Sequence, residues 1–112
     1  MAEWHYCWRC GKSVPMLDEE EWAEVLPLLR GQEEQIKQYR ERHGAPLAEA
    51  LVTVRTVRAQ EKVRELTGYY EPKAEAIWHH RLADYGPLCG VCGHLLRTKR
   101  ARYCANCGAF AP

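Results

Sequence analysis

Six cysteines, arranged as three pairs, are the residues of this chain whose type and spacing best support chemistry. Each pair belongs to a Cys-x-x-Cys-Gly motif, and the motifs occupy residues 7–11, 89–93 and 104–108. The two-residue spacing lets both thiolates turn toward one point, and the glycine after the second cysteine permits the positive φ that the turn needs. The three motifs therefore predict three metal-binding knuckles.

The two C-terminal motifs together supply four sulfurs, from Cys89, Cys92, Cys104 and Cys107. Four thiolates match the tetrahedral shell that Zn²⁺ prefers in closed structural sites. Eleven residues separate Cys92 from Cys104, which is long enough for a short hairpin. Four unrelated thiols or two disulfides are the alternatives, but two Cys-x-x-Cys motifs in sequence favour metal. We predict a zinc ribbon that contains a small β hairpin.

The N-terminal pair, Cys7 and Cys10, supplies only two ligands, whereas a structural zinc needs four. The ribbon uses its own cysteines, so the missing ligands must come from the five histidines, which are His5, His43, His79, His80 and His94. Our hypothesis is a second zinc site of Cys7, Cys10, His80 and either His79 or His5. The alternative is that the histidines pack without metal. A redox-active pair is disfavoured because residues 11–15 predict a turn, where a thioredoxin-like motif needs a helix.

Two charged segments are candidate partner-binding surfaces. The segment between the ribbon knuckles carries four cationic side chains, Arg97, Lys99, Arg100 and Arg102. It is interpretable as a phosphate-contacting finger, as a docking patch for an acidic protein, or as a hairpin kept soluble by its charges. The other segment is an acidic helix start, Glu19, Glu20 and Glu21, which suits a partner with a basic active site. The sequence does not choose between the two segments.

Catalysis has little support in the sequence. Four thiolates close the shell of a zinc ion, whereas a catalytic zinc keeps an open position. A zinc deaminase would need a His-x-Glu motif before its cysteine pair, and residues 79–81 are His-His-Arg. Neither a Gly-rich phosphate loop nor a G-x-S-x-G elbow is present. We therefore expect that the protein is not an enzyme.

Three helical segments are predicted to position these motifs. Asp18 is the expected N-cap of a first helix that stops at Gly-Ala-Pro in residues 44–46, with Pro27 predicting either a kink or a break. A second helix is predicted over residues 47–67, although its apolar stripe drifts from one face to another. A third, shorter helix is predicted over residues 73–82. The predicted fold is mainly α, with two longer helices and one short helix between an N-terminal zinc knuckle and a C-terminal zinc ribbon.

Length and composition place these elements in one domain. The chain of 112 residues divides into an N-terminal knuckle (1–16), a helical region (17–84) and the ribbon (85–112). Net charge is +1, and the basic excess is smaller than is usual for a nucleic-acid binder. Residues 1–10 lack the pattern of a signal peptide, and no apolar run is long enough to span a bilayer. We expect a cytoplasmic protein without membrane contact, in which cysteines bind metal.

The two ends of the chain resemble a group of small bacterial zinc-ribbon proteins. The resemblance is carried by the Cys-Trp-x-Cys-Gly knuckle at residues 7–11, an acidic Leu-Asp-Glu-Glu helix entry at 17–20, Trp-His-His-Arg-Leu at 78–82, Tyr-Gly-Pro at 85–87 and the ribbon at 89–107. Some proteins of this kind look like immunity or accessory proteins of polymorphic toxins. The resemblance implies a non-enzymatic protein-binding role, and toxin neutralisation is its specific form. The alternative is a nucleic-acid-associated zinc ribbon that acts through residues 97–103.

Overall fold

The computed structural model describes residues 2–54 and 57–110, and it confirms a mainly α fold with cysteine clusters toward both ends. Two strands come first, β1 (Glu3–Cys7) and β2 (Lys12–Met16). Four helices follow, which are α1 (Glu19–His43), α2 (Leu47–Thr53), α3 (Arg58–Thr67) and α4 (Ala74–Ile77). A single 3₁₀ turn, Leu82–Asp84, leads into the ribbon.

Helix α1 is one continuous helix of 25 residues that runs through Pro27. Its start is fixed by a capping box, in which the Asp18 side chain accepts from the Glu21 N–H at 2.8 Å and the Glu21 side chain accepts from the Asp18 N–H at 3.0 Å. Its end is fixed by Gly44, whose left-handed backbone (φ 60°) terminates the helix where the sequence predicted a stop.

The predicted second helix is two shorter helices, α2 and α3. Residues 55 and 56, which the prediction placed inside one helix, lie outside the described residues. The drift of the apolar stripe was the sign of this division, because α3 buries Ala59 and Val63 while α2 leaves Leu51 exposed. The third helix is also shorter than predicted, since α4 ends at Ile77.

The main core lies between α1, α3 and α4. Its buried members are Leu17, Trp22, Val25, Leu29, Ala59, Val63 and Ile77. Gln32 interrupts the apolar face of α1 for a structural reason. Its buried side-chain oxygen accepts the backbone N–H of Ala59 at 2.8 Å, in the first turn of α3, where helix donors lack intrahelical partners. A side chain of α1 therefore caps α3.

The two-stranded sheet lies in the N-terminal knuckle, which corrects the turn predicted over residues 11–15. β1 and β2 are antiparallel, with Cys7 opposite Lys12 and Trp4 opposite Pro15. Proline is tolerated because both strands of a two-stranded sheet are edges. In the ribbon, the described residues form isolated bridges, Leu88 with Leu95 and Tyr103 with Phe110, where the sequence predicted a hairpin between the knuckles.

The N-terminal hairpin is tied to the segment after α4 and to the ribbon. Leu17 donates to the carbonyl of His80 at 2.7 Å, and Leu82 donates back to the carbonyl of Leu17 at 2.9 Å. Tyr6 of β1 stacks on His94 of the ribbon, with ring centroids 4.6 Å apart. These contacts bring residues from both ends of the chain together. No helix in the described part of the chain is long and apolar enough to cross a membrane.

Candidate metal centres

The ribbon gathers its four predicted cysteines into one cluster. The sulfurs of Cys89, Cys92, Cys104 and Cys107 all lie within 4.8 Å of one another. The Sγ atoms of Cys89 and Cys107 are 3.6 Å apart, as are those of Cys92 and Cys104. Sulfurs at about 2.3 Å from a tetrahedral zinc are separated by about 3.8 Å, whereas a disulfide bond is about 2.05 Å. The spacing therefore fits a four-thiolate metal site, and all six cysteines are free of disulfides.

All three knuckles share one backbone arrangement. In each, the glycine N–H donates to the carbonyl of the first cysteine, at 2.8 Å in the N-terminal knuckle and at 2.9 and 2.7 Å in the ribbon. The three glycines are Gly11, Gly93 and Gly108, with φ between 71° and 82°. This left-handed conformation is strained for residues with a side chain, which explains the glycine after each pair. The prediction of positive φ at these positions is confirmed.

Hydrogen bonds from N–H groups act on the pKa values of the ribbon thiols. The N–H groups of Cys92 and Val91 lower the pKa of Cys89 to about 6. The N–H of His94 and the side-chain amide of Asn106 lower the pKa of Cys92. For Cys107 the N–H of Ala109 acts in the same direction, but burial and the three neighbouring sulfurs outweigh it and raise its pKa to about 11. A dication offsets this mutual repulsion, and thiolate is the form that binds metal.

The N-terminal pair meets His80, as the sequence hypothesis required. The donor atoms of Cys7, Cys10 and His80 lie within 4.8 Å of one another, and Cys10 Sγ is 3.3 Å from His80 Nε2. Cys7 and His80 are buried. Burial, followed by the charges of His79 and Lys12, lowers the pKa of His80 to about 4, so its imidazole is neutral at physiological pH. Neutral imidazole is the form that binds metal.

His79 and His5 do not join this cluster. His79 lines a cleft with Trp8 and Arg9, and burial together with the charge of Arg9 lowers its pKa. His5 lies 3.2 Å from the carboxylate of Glu3. Neighbouring residues of a chain point in different directions, which explains why His80 faces the sulfurs and His79 does not. Cys7, Cys10 and His80 are three of the four donors that a tetrahedral zinc takes, and their types fit zinc.

Tyr85 and Glu71 surround the N-terminal cluster, and sequence reasoning missed both. The Tyr85 hydroxyl is 3.8 Å from Cys7 Sγ and donates to the carbonyl of His79 at 2.5 Å. Glu71 is buried, accepts from the Tyr69 hydroxyl at 3.3 Å, and its charge acts on Cys10. Burial and then the neighbouring Cys7 raise the pKa of Cys10 to about 11. Tyr85 belongs to the Tyr-Gly-Pro segment that carries part of the resemblance, but sequence reasoning assigned it no role at a metal site.

The acidic candidates have structural partners within the chain. Glu21 is buried in the capping box. Arg81 donates two hydrogen bonds to the Glu19 carboxylate, at 2.9 and 2.8 Å. These bonds, together with the charge of Lys99, lower the pKa of Glu19. Glu20 is exposed. The acidic helix start and the basic segment are therefore neighbours, because Lys99 is close enough for its charge to act on Glu19.

The basic candidates are all exposed, and one of them meets the N-terminal knuckle. Lys99, Arg100 and Arg102 lie at the surface of the ribbon. The Arg97 guanidinium lies over the indole of Trp8, 4.2 Å from its centroid. Trp8 and Arg9 occupy the two variable positions of the first Cys-x-x-Cys motif, where sequence reasoning assigned them no role.

The chain has no significant match among protein-family models, curated proteins or solved structures. The described structure contributes two cysteine clusters from which an argument about function can start. They are compatible with metal binding and consistent with zinc.

Proposed function

We propose that this protein is a non-enzymatic protein-binding module stabilised by zinc, and that its partner is a bacterial toxin that it neutralises in the cytoplasm. The observation that carries the protein-binding part is an apolar groove of about 870 Å³ beside the second half of α1. The metal clusters lie elsewhere, because none of their ligands lines this groove. In this proposal zinc holds the scaffold rigid, which limits the entropy lost when a partner binds.

The groove has the composition of a docking site for protein. We call its apolar lining residues the floor and its charged lining residues, which carry both signs, the rim. The floor consists of Leu29, Ile36, Leu47, Leu51 and Trp78, and the rim of Glu33, Lys37, Arg40, Glu41 and Glu75. Leu47 and Leu51 remain about half exposed, at 49% and 53%. Apolar side chains gathered in a concave surface with a charged rim mark interaction sites.

The occupant we propose is an amphipathic helix of the toxin. Leu47 and Leu51 are four residues apart on α2, so they present one apolar edge parallel to the helix axis. A partner helix placed along α1 and α2 would present its own stripe to this floor and its charges to the mixed rim. The toxin itself is proposed from the resemblance of both chain ends to immunity-type zinc-ribbon proteins.

The experiment compares one leucine-to-glutamate exchange in the groove with one valine-to-glutamate exchange outside it. Leu51→Glu places a charge in the groove, whereas Val91→Glu places the same charge at an exposed ribbon position (76% exposed) far along the sequence. Each tagged variant would be purified from the lysate of its own host beside the wild type. We expect a stoichiometric partner with wild type and with Val91→Glu, and its loss with Leu51→Glu.

The captured partner would then be produced alone in a test strain. The proposal predicts that it stops growth, that co-production of this protein restores growth, and that Leu51→Glu restores it poorly. Retention of the partner by Leu51→Glu would overturn the groove assignment. A partner that is harmless when produced alone would overturn the toxin assignment. A dimer in light scattering that forms through the groove would show that the occupant is a second copy of this chain and not a toxin.

A further inference from the structure

A second concave site lies where the two zinc-binding ends of the chain meet. This cleft has a volume of about 450 Å³ and is separate from the groove except for Trp78, which borders both. Its other walls come from the first knuckle, the segment after α4 and the ribbon. They are Trp8, Arg9, His79, Asp84, Tyr85, Arg97 and Thr98. The size is that of a pocket for one small organic group.

Two guanidinium groups are held on one indole at this cleft. Arg9 lies 4.8 Å and Arg97 4.2 Å from the centroid of the Trp8 ring. In the part of the chain that the structure describes, no carboxylate lies within ion-pair distance of either arginine. Stacking on an indole orients the planar fork without using its N–H donors. Two oriented forks with free donors are suited to phosphate oxygens.

The other charges around the cleft are compatible with an anion. Asp84 is the acidic wall residue, and its carboxylate is 3.7 Å from the guanidinium of Arg81. His79 lies on the same wall, where Arg9 acts on it electrostatically. The cleft therefore has an aromatic surface, two unpaired arginines and one carboxylate that is already paired.

Further exposed cations follow the cleft residue Thr98 in the ribbon sequence, and the Glu19 carboxylate on which Lys99 acts is already paired with Arg81. Thr98 still lines the cleft, and the exposed cations Lys99, Arg100 and Arg102 follow it in sequence. Tyr103, next along the chain, is 59% exposed and offers a second aromatic face. Aromatic faces alternating with cations are the means by which proteins hold single-stranded nucleic acid, with bases stacked and phosphates tracked.

We propose that this cleft is a binding site for single-stranded nucleic acid. One nucleotide enters between the knuckles, with a phosphate on Arg9 and Arg97 and its base against the aromatic wall. The strand then follows Lys99, Arg100 and Arg102. A base inserted in this cleft cannot also be paired in a duplex, so the proposed site takes a single strand. The site is independent of the groove and of the proposed toxin.

The test is fluorescence anisotropy with labelled oligo(dT) and oligo(U) of about 12 nucleotides, using the zinc-loaded full chain at about 50 mM salt. The test variant is Arg9→Ala with Arg97→Ala. The matched control is Arg30→Ala with Arg42→Ala, which removes the same charge from exposed positions on α1. We expect the cleft variant to bind about 100-fold more weakly, because roughly tenfold is lost per phosphate contact, and the control to bind within about twofold.

Two further measurements make the result specific to the cleft. Arg97→Lys keeps the charge but removes the fork, so we expect it to weaken binding by several-fold. The slope of log affinity against log salt should fall by about 0.7 for each arginine removed from the cleft. Far-UV circular dichroism and zinc content of each variant verify that it is folded.

Three outcomes would overturn the proposal. The first is the absence of oligonucleotide binding by wild type at about 50 mM salt. The second is equal weakening by the cleft and control variants, which would show that only net charge matters. The third is binding of a mononucleotide as tight as that of the oligonucleotide, which would assign the cleft to a free nucleotide. Loss of oligonucleotide binding in the double variant Arg9→Ala with Arg97→Ala, together with normal binding in Leu51→Glu, would support separate roles for the cleft and the groove.

Discussion

The ribbon and the N-terminal metal cluster are built from the same knuckle, but they depend on different parts of the chain. All four ribbon ligands lie within residues 89–107, and its buried cluster consists of Cys89, Leu96 and Cys104. The N-terminal cluster joins Cys10 to His80, which are 70 residues apart in sequence. It also has an apolar surround of its own, formed by Val14, Met16 and Tyr85 beside Cys7.

We infer that bound metal would have different tasks at the two ends. The ribbon has so little apolar core that two of its three buried members are candidate metal ligands, so we expect metal to supply much of its folding free energy. At the other end, backbone hydrogen bonds between Leu17 and residues 80 and 82 already hold the elements together. Metal bound there would connect the ends of a long loop that protein contacts already hold close together.

The largest expected effect is the loss of the ribbon when one of its ligands is removed. Cys104→Ser should release the ribbon metal and unfold residues 88–110, because structural zinc sites contribute about 10 kcal/mol or more of folding free energy. Hydrogen exchange should show fast amides at positions 89 and 104, whose N–H groups donate at 2.7 Å in the wild type, and slow amides in α1. Ala105→Ser, at an exposed position in the same knuckle, is the control. Protected ribbon amides in Cys104→Ser would contradict a metal-dependent fold.

A smaller effect is expected from His80→Ala at the N-terminal cluster. The change removes a link between residues that are 70 positions apart, for which the chain-entropy relation gives a loop-closure contribution of about 4 kcal/mol. Thermal unfolding should therefore occur at a lower temperature, while ribbon amides stay protected. His79→Ala is the matched control, since His79 lies outside the sulfur cluster. Equal destabilisation by the two changes would mean that His80 stabilises by packing alone.

A substitution in the helices between the two cysteine clusters should lower the unfolding free energy without changing the zinc content. Gln32→Leu removes the acceptor of the Ala59 N–H and leaves a buried donor unpaired, at a cost of about 1 to 3 kcal/mol. Chemical denaturation would measure this loss, and zinc content should not change. Gln35→Leu, on the exposed side of α1, should alter stability by much less. A Gln32→Leu variant as stable as the wild type would show that the hydrogen bond from the Ala59 N–H to Gln32 does not stabilise the fold.

The smallest effect concerns the start of α1. Asp18→Ala removes the side-chain acceptor of the Glu21 N–H and should lower the unfolding free energy by about 1 kcal/mol. Glu20→Ala, in the same turn but exposed, is its control. Denaturant midpoints would show whether the two differ in the expected direction. An Asp18→Ala midpoint equal to that of Glu20→Ala would show that the capping box contributes nothing.

Features set by neighbouring residues could be predicted from the sequence. The spacing of each cysteine pair predicted the four-cysteine cluster of the ribbon, the glycine after it predicted the positive φ, and Asp18 predicted the start of α1. Each of these depends on geometry within a few residues. His80 was also proposed from the sequence, but its selection over His79 depends on where α4 ends and on the bonds between Leu17 and the segment that follows.

Features set by contacts distant in sequence could not be predicted. The strand over Lys12–Met16 was predicted as a turn, and this local error became visible only from its pairing with β1, in which the N–H that Pro15 lacks is not needed. The role of Gln32 is visible only once α3 is in place. Trp8 is one of the two residues between the cysteines of the first motif. Its contact with the guanidinium of Arg97, 89 positions later in the chain, is visible only in the structure.

Native mass spectrometry of the zinc-loaded protein would show whether one chain carries two metal centres. We expect two zinc ions per wild-type chain, two in His79→Ala and one in His80→Ala. One zinc in the wild type, or two in His80→Ala, would contradict the assignment of Cys7, Cys10 and His80 as a metal site.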